Sequence, residues 1–232
     1  MQNNNRVLVV DDEPDILDLL KYNLEREGYE VEVASNGEEA IKKAEFFKPE
    51  LILLDIMMPK MDGVETCRQL REMPDMIDSY IIFLTARAEE YSEVAAFDVG
   101  ADDYLNKPIK PRALMSRINA LFRREFKKQQ TQSHEVIEIS DLCIDKTSYT
   151  LQKDGELIAL PKKEFELIYF LAQSPNKVYN REDLLKNIWG QDVYVLARTV
   201  DVHIRRIREK IGDNYIKTVK GVGYKFMSPD EI

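Results

Sequence analysis

Cysteine, histidine and long apolar runs are all scarce in this chain. Of its 232 residues, 2 are Cys and 2 are His. Cys67 and Cys143 stand alone with no CxxC spacing, which excludes a disulfide framework and a thiolate metal site and fits a reducing compartment. His134 and His203 make no metal-binding pair. No apolar stretch approaches the roughly 18 residues of a membrane span, and Met1 to Asn5 lead straight into an apolar run. The expected location is therefore the cytoplasm, with no membrane partner. Strong positive charge is missing too: 33 Lys and Arg against 42 Asp and Glu give a net charge of -9. The excess is uneven. Residues 1–132 hold 18 basic against 26 acidic residues, net -8, and residues 133–232 hold 15 against 16, net -1. Local clustering then matters more than the total for any nucleic-acid partner.

What is present is a set of apolar runs that end in chemistry. Arg6–Val10 is closed by Asp11 and Asp12, Leu51–Leu54 by Asp55, Ile81–Leu84 by Thr85, and Tyr104–Asn106 by Lys107. Runs of this kind are strands buried on both faces of a parallel sheet, whose remaining polar residues gather at the carboxyl edge. Between them lie amphipathic stretches. Leu17, Leu20 and Leu24 recur at helical spacing up to Gly28. Asn36-Gly37 starts the next helix and Lys48-Pro49 stops it; another covers 64–73, and a last one, about 111–124, closes the domain. Tyr29–Val33 alternates and belongs nearer an edge. Apolar periodicity lapses over 125–134, the linker candidate. Beyond it, alternation over 136–151 and the Asp154-Gly155 turn predict an antiparallel sheet. Helices near 161–173, 181–189 and 198–211 follow, then a hairpin around Gly221 and Gly223, an order that fits a helix-turn-helix flanked by sheet.

Asp11, Asp12 and Asp55 can all stay ionised at one edge only if a cation offsets them, and all-oxygen ligation selects a hard ion such as Mg2+. A carboxylate can form an acyl phosphate. Asp55 is then the expected nucleophile, with Lys107 and Thr85 placed to meet the transferred phosphoryl oxygens. A lone Asp after an apolar run is more often a helix cap; several such ends in order are not. A phosphatase with an aspartyl nucleophile is the alternative. Enzymes of the haloacid-dehalogenase type carry a second Asp two residues on, and here that position is Met57. Without a proton donor for the leaving alcohol, a long-lived acyl phosphate is the expected product.

Asp11-Asp12, Asp55 with Met57–Gly63, Thr85 and the run Gly100–Pro108 resemble the receiver domain of bacterial response regulators, over about residues 5–124. The resemblance implies that Asp55 accepts a phosphoryl group from a sensor histidine kinase and that Asp11, Asp12, Asp55 and the Met57 carbonyl form the Mg2+ site. It implies also that Thr85 and Lys107 read the phosphate, that Tyr104 is an aromatic switch turning inward when Thr85 moves, and that Lys107-Pro108 is cis. Met57 and Arg87 flank the pocket and tune water access.

The other sharp feature is residues 197–211. Val200, Ile204, Ile207 and Ile211 share one helical face while Val202, Arg205, Arg206 and Arg208 point elsewhere. Arginines so presented can bridge guanine or grip phosphate. Leu160–Ile168, Arg181–Leu185, Trp189, Arg198–Ile204 and Gly221–Tyr224 resemble the winged-helix effector of the OmpR/PhoB family. That resemblance implies base contacts by Val202 and Arg206, and phosphate contacts by Arg198, Thr199, Arg205, Arg208 and Thr218. It adds Lys220 on the wing, where Arg is usual, and residues 190–197 as a loop that can touch RNA polymerase; His203, on the same helix as the arginines, is either a phosphate contact or an ordinary surface histidine.

Together these imply a doubly wound five-stranded parallel sheet, a flavodoxin-like receiver (1–124), then a linker (125–134) and an α+β winged helix-turn-helix domain (135–232). The expected function is phosphorylation-controlled binding of double-stranded promoter DNA as a homodimer. The family's receiver dimer uses its fourth helix, fifth strand and fifth helix. Asp103 and Arg117 match one intermolecular ion pair of that surface, whereas Glu93 and Ala113 stand where a second pair would be. Exposed pairs contribute only about 0–1 kcal/mol each, so that departure leaves a dimer possible.

Overall fold

The computed structural model describes residues 5–85, 99–130, 136–190 and 198–227; Arg87, Glu93, His134 and 191–197 lie outside them. The chain divides into two compact units, Met1–Arg123 and Arg124–Ile232.

In the first unit, β1 (Arg6–Val10), β2 (Glu30–Ala34), β3 (Leu51–Asp55), β4 (Tyr80–Thr85) and β5 (Asp103–Asn106) form one sheet ordered β2-β1-β3-β4-β5. Every adjacent pair is parallel. All of β3 and β4 and all of β1 after Arg6 are buried, so these strands are apolar without alternation. β2 lies at the edge, as its alternation predicts, with Glu30 exposed and Val31 and Ala34 inward. Since β2 and β3 flank β1 on opposite sides, the order of strands reverses there and opens a crevice beyond the carboxyl ends of β1 and β3. The register pairs Val10 with Leu54, which sets Asp11 beside Asp55.

Local signals place the helices. α1 (Pro14–Arg26) starts with Pro, whose missing N–H costs nothing in a first turn; it buries Leu20 and Leu24, and Gly28 ends it with φ 90°. α2 (Gly37–Phe47) is capped in both directions. Asn36 Oδ1 accepts from Glu39 N at 3.1 Å, and Glu39 Oε2 accepts from Ser35 N at 2.9 Å. The Ser35 amide, with Lys43 beside it, holds the Glu39 carboxyl down to about 2. Asp62 caps α3 (Gly63–Glu72) by accepting from Glu65 N at 2.8 Å. From α3, Arg71 reaches inward and donates to the carbonyls of Gly100 (2.8 Å), Met76 (2.9 Å) and Ser79 (2.7 Å) and to Asp102 Oδ2 (2.7 Å).

The helix expected over 111–124 runs Pro111–Gln130, so the segment read as a linker begins inside it. Apolar periodicity reports burial rather than helicity, and Glu, Lys and Gln are good helix formers without it.

In the second unit β6 (Val136–Ile139), β7 (Leu142–Asp145), β8 (Thr150–Lys153) and β9 (Glu156–Ile158) form an antiparallel meander. Asp154 and Gly155 both take positive φ at its last turn, the conformation a two-residue hairpin requires. A second sheet joins β10 (Tyr179–Asn180), β12 (Gly223–Phe226) and β11 (Ile216–Val219) in that order. Three helices, Lys162–Ala172, Arg181–Ile188 and Arg198–Ile211, share a core of Phe165, Ile168, Leu184, Ile204, Ile207 and Phe226. The first of them is buried nearly all round, its charged residues Lys163, Glu164 and Glu166 included. A helix so enclosed is the centre of its domain. Among the described residues no helix is long and apolar enough to cross a membrane.

Candidate functional site

The crevice at the β1/β3 edge collects the expected acidic residues. Carboxylate oxygens of Asp11, Asp12 and Asp55 lie within 4.8 Å of one another, with Asp11 and Asp55 buried and Asp12 exposed. Lys107 sits among them: its Nζ is 2.8 Å from Asp11 Oδ2, 3.0 Å from Asp55 Oδ1 and 3.1 Å from Glu13 Oε1. The loop after β5 brings it there. Lys107 N donates to Thr85 O at 2.6 Å, and the Lys107-Pro108 peptide is cis. Glu13 was not singled out by sequence reasoning; the only signal was its place directly after the Asp pair.

Burial pushes the Asp55 carboxyl up, with Lys107 opposing it. Burial also works against the Lys107 ammonium, but hydrogen bonds to Asp11, Asp55 and Glu13 outweigh it and raise its affinity for the proton. Three clustered carboxylates plus Glu13 face one ammonium, so the crevice keeps an excess of negative charge. A hard cation with oxygen ligands fits such a donor set. Backbone amides hold both carboxylates further: Met57 N donates to Asp55 Oδ2 at 3.0 Å, and Glu13 N to Asp11 Oδ1 at 3.0 Å. Gly63 N closes the loop onto Ile56 O at 2.9 Å. Met57 is 78% exposed.

Thr85, at the end of β4, is buried, and Tyr104 is buried on β5 with Phe83 as its register partner. Asp103 and Arg117, expected to pair between two copies, meet within one chain at 2.7 Å. β5 and the helix after it are neighbours in the same fold, so Arg117 reaches Asp103 without a partner.

In the second unit the 198–211 helix buries Val200, Ile204, Ile207 and Ile211, as its spacing predicts, and also Thr199 and His203. These two overturn expectations. Both were expected to contact phosphate, His203 alternatively to lie at the surface, yet they are 0% and 1% exposed. His203 packs on the Trp189 ring at 5.1 Å between centroids. The apolar stripe is therefore wider than the isoleucines alone mark out, because positions i-1 flank the stripe residues and turn inward with them.

Arg198, Arg205, Thr218 and Lys220 are exposed and Val202 is half-buried. Arg205 pairs with Glu209 at 2.9 Å on its own helix. Arg206 lies 3.5 Å from the buried Glu164. Arg208 binds the wing strand, donating to Ile216 O at 2.7 Å and Thr218 Oγ1 at 2.9 Å. Asp201 Oδ1 accepts from Tyr224 OH at 2.7 Å and from Arg181 Nε at 2.6 Å, joining three elements. Burial, then the Asp201 carboxylate, pushes the Tyr224 phenol up to about 12. Neither Arg181 nor Tyr224 was expected to be an anchor, since pairing across elements leaves no periodic trace.

Residues 7–119 match the family model for the response regulator receiver domain, and residues 155–226 match that for the C-terminal domain of transcriptional regulatory proteins. The chain is 44% identical to the alkaline phosphatase synthesis transcriptional regulatory protein PhoP of Bacillus subtilis, covering 97% of this chain and 98% of that one. It is 45% identical to the transcriptional regulatory protein ResD of the same organism, covering 97% and 96%. Among solved structures, a mutant of RitR is 30% identical with TM-score 0.80, over 97% of this chain and 100% of that one. DrrB of Thermotoga maritima, described as an OmpR/PhoB homolog, is 36% identical with TM-score 0.50 over the same shares.

Proposed function

The chain belongs to the response regulators that join a receiver to an OmpR/PhoB-type transcriptional regulatory domain, and from that premise we propose that Asp55 is its phosphoacceptor. The observation that carries this is Lys107 Nζ lying within 3.0 Å of both Asp11 and Asp55 at the reversal point of the sheet. A carboxylate oxygen of Asp55 attacks the phosphorus of a sensor kinase's phosphohistidine. The O–P bond forms as the P–N bond breaks, and the electron pair leaves with the imidazole. Lys107 then moves its donors to the phosphoryl oxygens, and Thr85 Oγ1 donates to one of them.

Asp11, Asp12, Asp55 and the Met57 carbonyl would hold Mg2+. When bound, that ion supplies positive charge against the transferred phosphoryl group. Repositioned Thr85 and Tyr104 bias the face carrying β5 and the 111–130 helix toward a homodimer. In an isologous interface, Asp103 and Arg117 can exchange their pairing between copies. Two winged helices then engage adjacent half-sites of promoter DNA, where avidity converts phosphorylation into occupancy. Val202 and Arg206 face bases, Arg198, Arg205, Arg208 and Thr218 face phosphates, and Lys220 faces the minor groove. The 190–197 segment would meet RNA polymerase, and the setting is the cytoplasm.

The test is selection of genomic DNA fragments by the full chain, with and without a small acyl-phosphate donor and Mg2+, alongside Asp55→Asn. We expect donor-dependent enrichment of repeated half-sites in the wild type only. Equal enrichment with and without donor would reject phosphorylation as the control, and no enrichment in any arm would reject the 198–211 helix as a DNA reader.

A further inference from the structure

We propose that Glu164 is a positioning residue for sequence readout: it aims the guanidinium of Arg206 while Lys210 neutralises it. The inference rests on the 198–211 helix being the DNA reader. Glu164 is 0% exposed, in the helix at the centre of its domain. Its Oε2 accepts from Lys210 Nζ at 2.7 Å, and its Oε1 faces Arg206 Nη1 at 3.5 Å. The two cations stand one turn apart on one side of the 198–211 helix, and the buried carboxylate lies between them and the core.

A buried ion pair is weak evidence of a stabilising role. Replacing such a pair by apolar residues of similar volume is often neutral or favourable, so the role of the buried carboxylate is sought in what it aims. The unequal distances suggest which. Lys210 makes the short bond and supplies the compensating charge. The longer contact directs Arg206 without clamping it, and a guanidinium with five donors keeps the rest for a base edge. Arg206 is 14% exposed along its side chain, against 66% for Arg205, which pairs with Glu209 at the surface. Of these two neighbouring arginines, one is directed from the core and the other from solvent. A directed fork suits bidentate recognition of guanine, and a solvent-held one suits phosphate.

Glu164→Gln tests this with minimal change of shape. A carboxamide has one acceptor oxygen, so its NH2 must face one of the two cations, and both cannot remain satisfied. The full-length protein, activated with the acyl-phosphate donor and Mg2+, is challenged with a duplex library whose core is randomised. Preference at one base pair per half-site should fall by on the order of tenfold. Preference elsewhere, and the slope of affinity against salt, should stay as in the wild type, which loss of fold or of phosphate contacts would not produce. Lys210→Met is the second variant. Arg206 then becomes the main cation for Glu164, is drawn onto it, and loses preference at the same base pair. Should Glu164→Gln lack the wild-type near-ultraviolet circular dichroism, Lys210→Met decides alone. Unchanged preference at every position in a folded variant would overturn the inference. A wild type that selects no sequence would instead overturn the DNA reading beneath it.

Discussion

Arg71 shows how much one side chain can hold when each donor finds an acceptor. Its guanidinium and the carboxylate of Asp102 are 8% and 1% exposed, and the same Asp102 oxygen accepts from Ile81 N at 2.9 Å. Removing the arginine strands a buried carboxylate and several carbonyls. Arg71→Met should therefore cost the receiver about 3–5 kcal/mol, read as a lower urea midpoint of its unfolding transition. A loss below about 1 kcal/mol would mean that water reaches the site and that the clamp is weak. Tyr224 makes a different residue-scale prediction. Its phenol is held neutral, with a folded value near 12 against an ordinary 10. A raised value means stability that is complete below about pH 10 and is lost as pH rises through about 12. The unfolding midpoint of wild type should fall more steeply over that interval than that of Tyr224→Phe; parallel curves would dissociate Tyr224 from the Asp201 network.

Among elements, the turn from β3 to α3 is tightly constrained. A Cβ on Gly63 would overlap the Asp55 carbonyl and stand 2.9 Å from Ile56 Cα, both backbone groups of the segment that carries Asp55. Gly63→Ala should destabilise by about 1–3 kcal/mol. It should also slow acceptance of phosphate from a small donor, because relief of the overlap moves Asp55; labelling at the wild-type rate would refute the second effect. Much of this was legible beforehand. The Asp11, Asp55 and Lys107 ends follow from strand runs, the edge position of β2 from its alternation, and the start of α2 from Asn36-Gly37. Thr199 and His203 differ from expectation because motif position says which residue is present, while burial depends on what surrounds it, as the Trp189 ring does for His203. The intrachain Asp103–Arg117 pair was likewise hidden, since matching an interface residue by residue leaves out whom each side chain meets when alone.

Across the whole molecule the charge is uneven, and the 1–132 segment at net -8 contrasts with near balance beyond it. DNA binding must overcome that acidic field, so a dimer that doubles the contacts should matter more than for a basic protein. Sedimentation of the full chain should show monomer without donor and dimer with donor and Mg2+, and Asp55→Asn should remain monomeric under both conditions. A dimer in all arms would uncouple assembly from the phosphoacceptor. Another consequence comes from the reversal of strand order at β1. The crevice joins residues 11, 55 and 107, so its ammonium comes from the loop after β5, the last strand of this sheet, and its carboxylates from the ends of the first and third strands. A chain emerging from the ribosome would carry Asp55 long before Lys107 could reach it. With Asp55 as the phosphoacceptor, a chain that stops short of Lys107 should take up no phosphate from a small donor, so phosphate uptake would report that the chain has been made at least as far as Lys107.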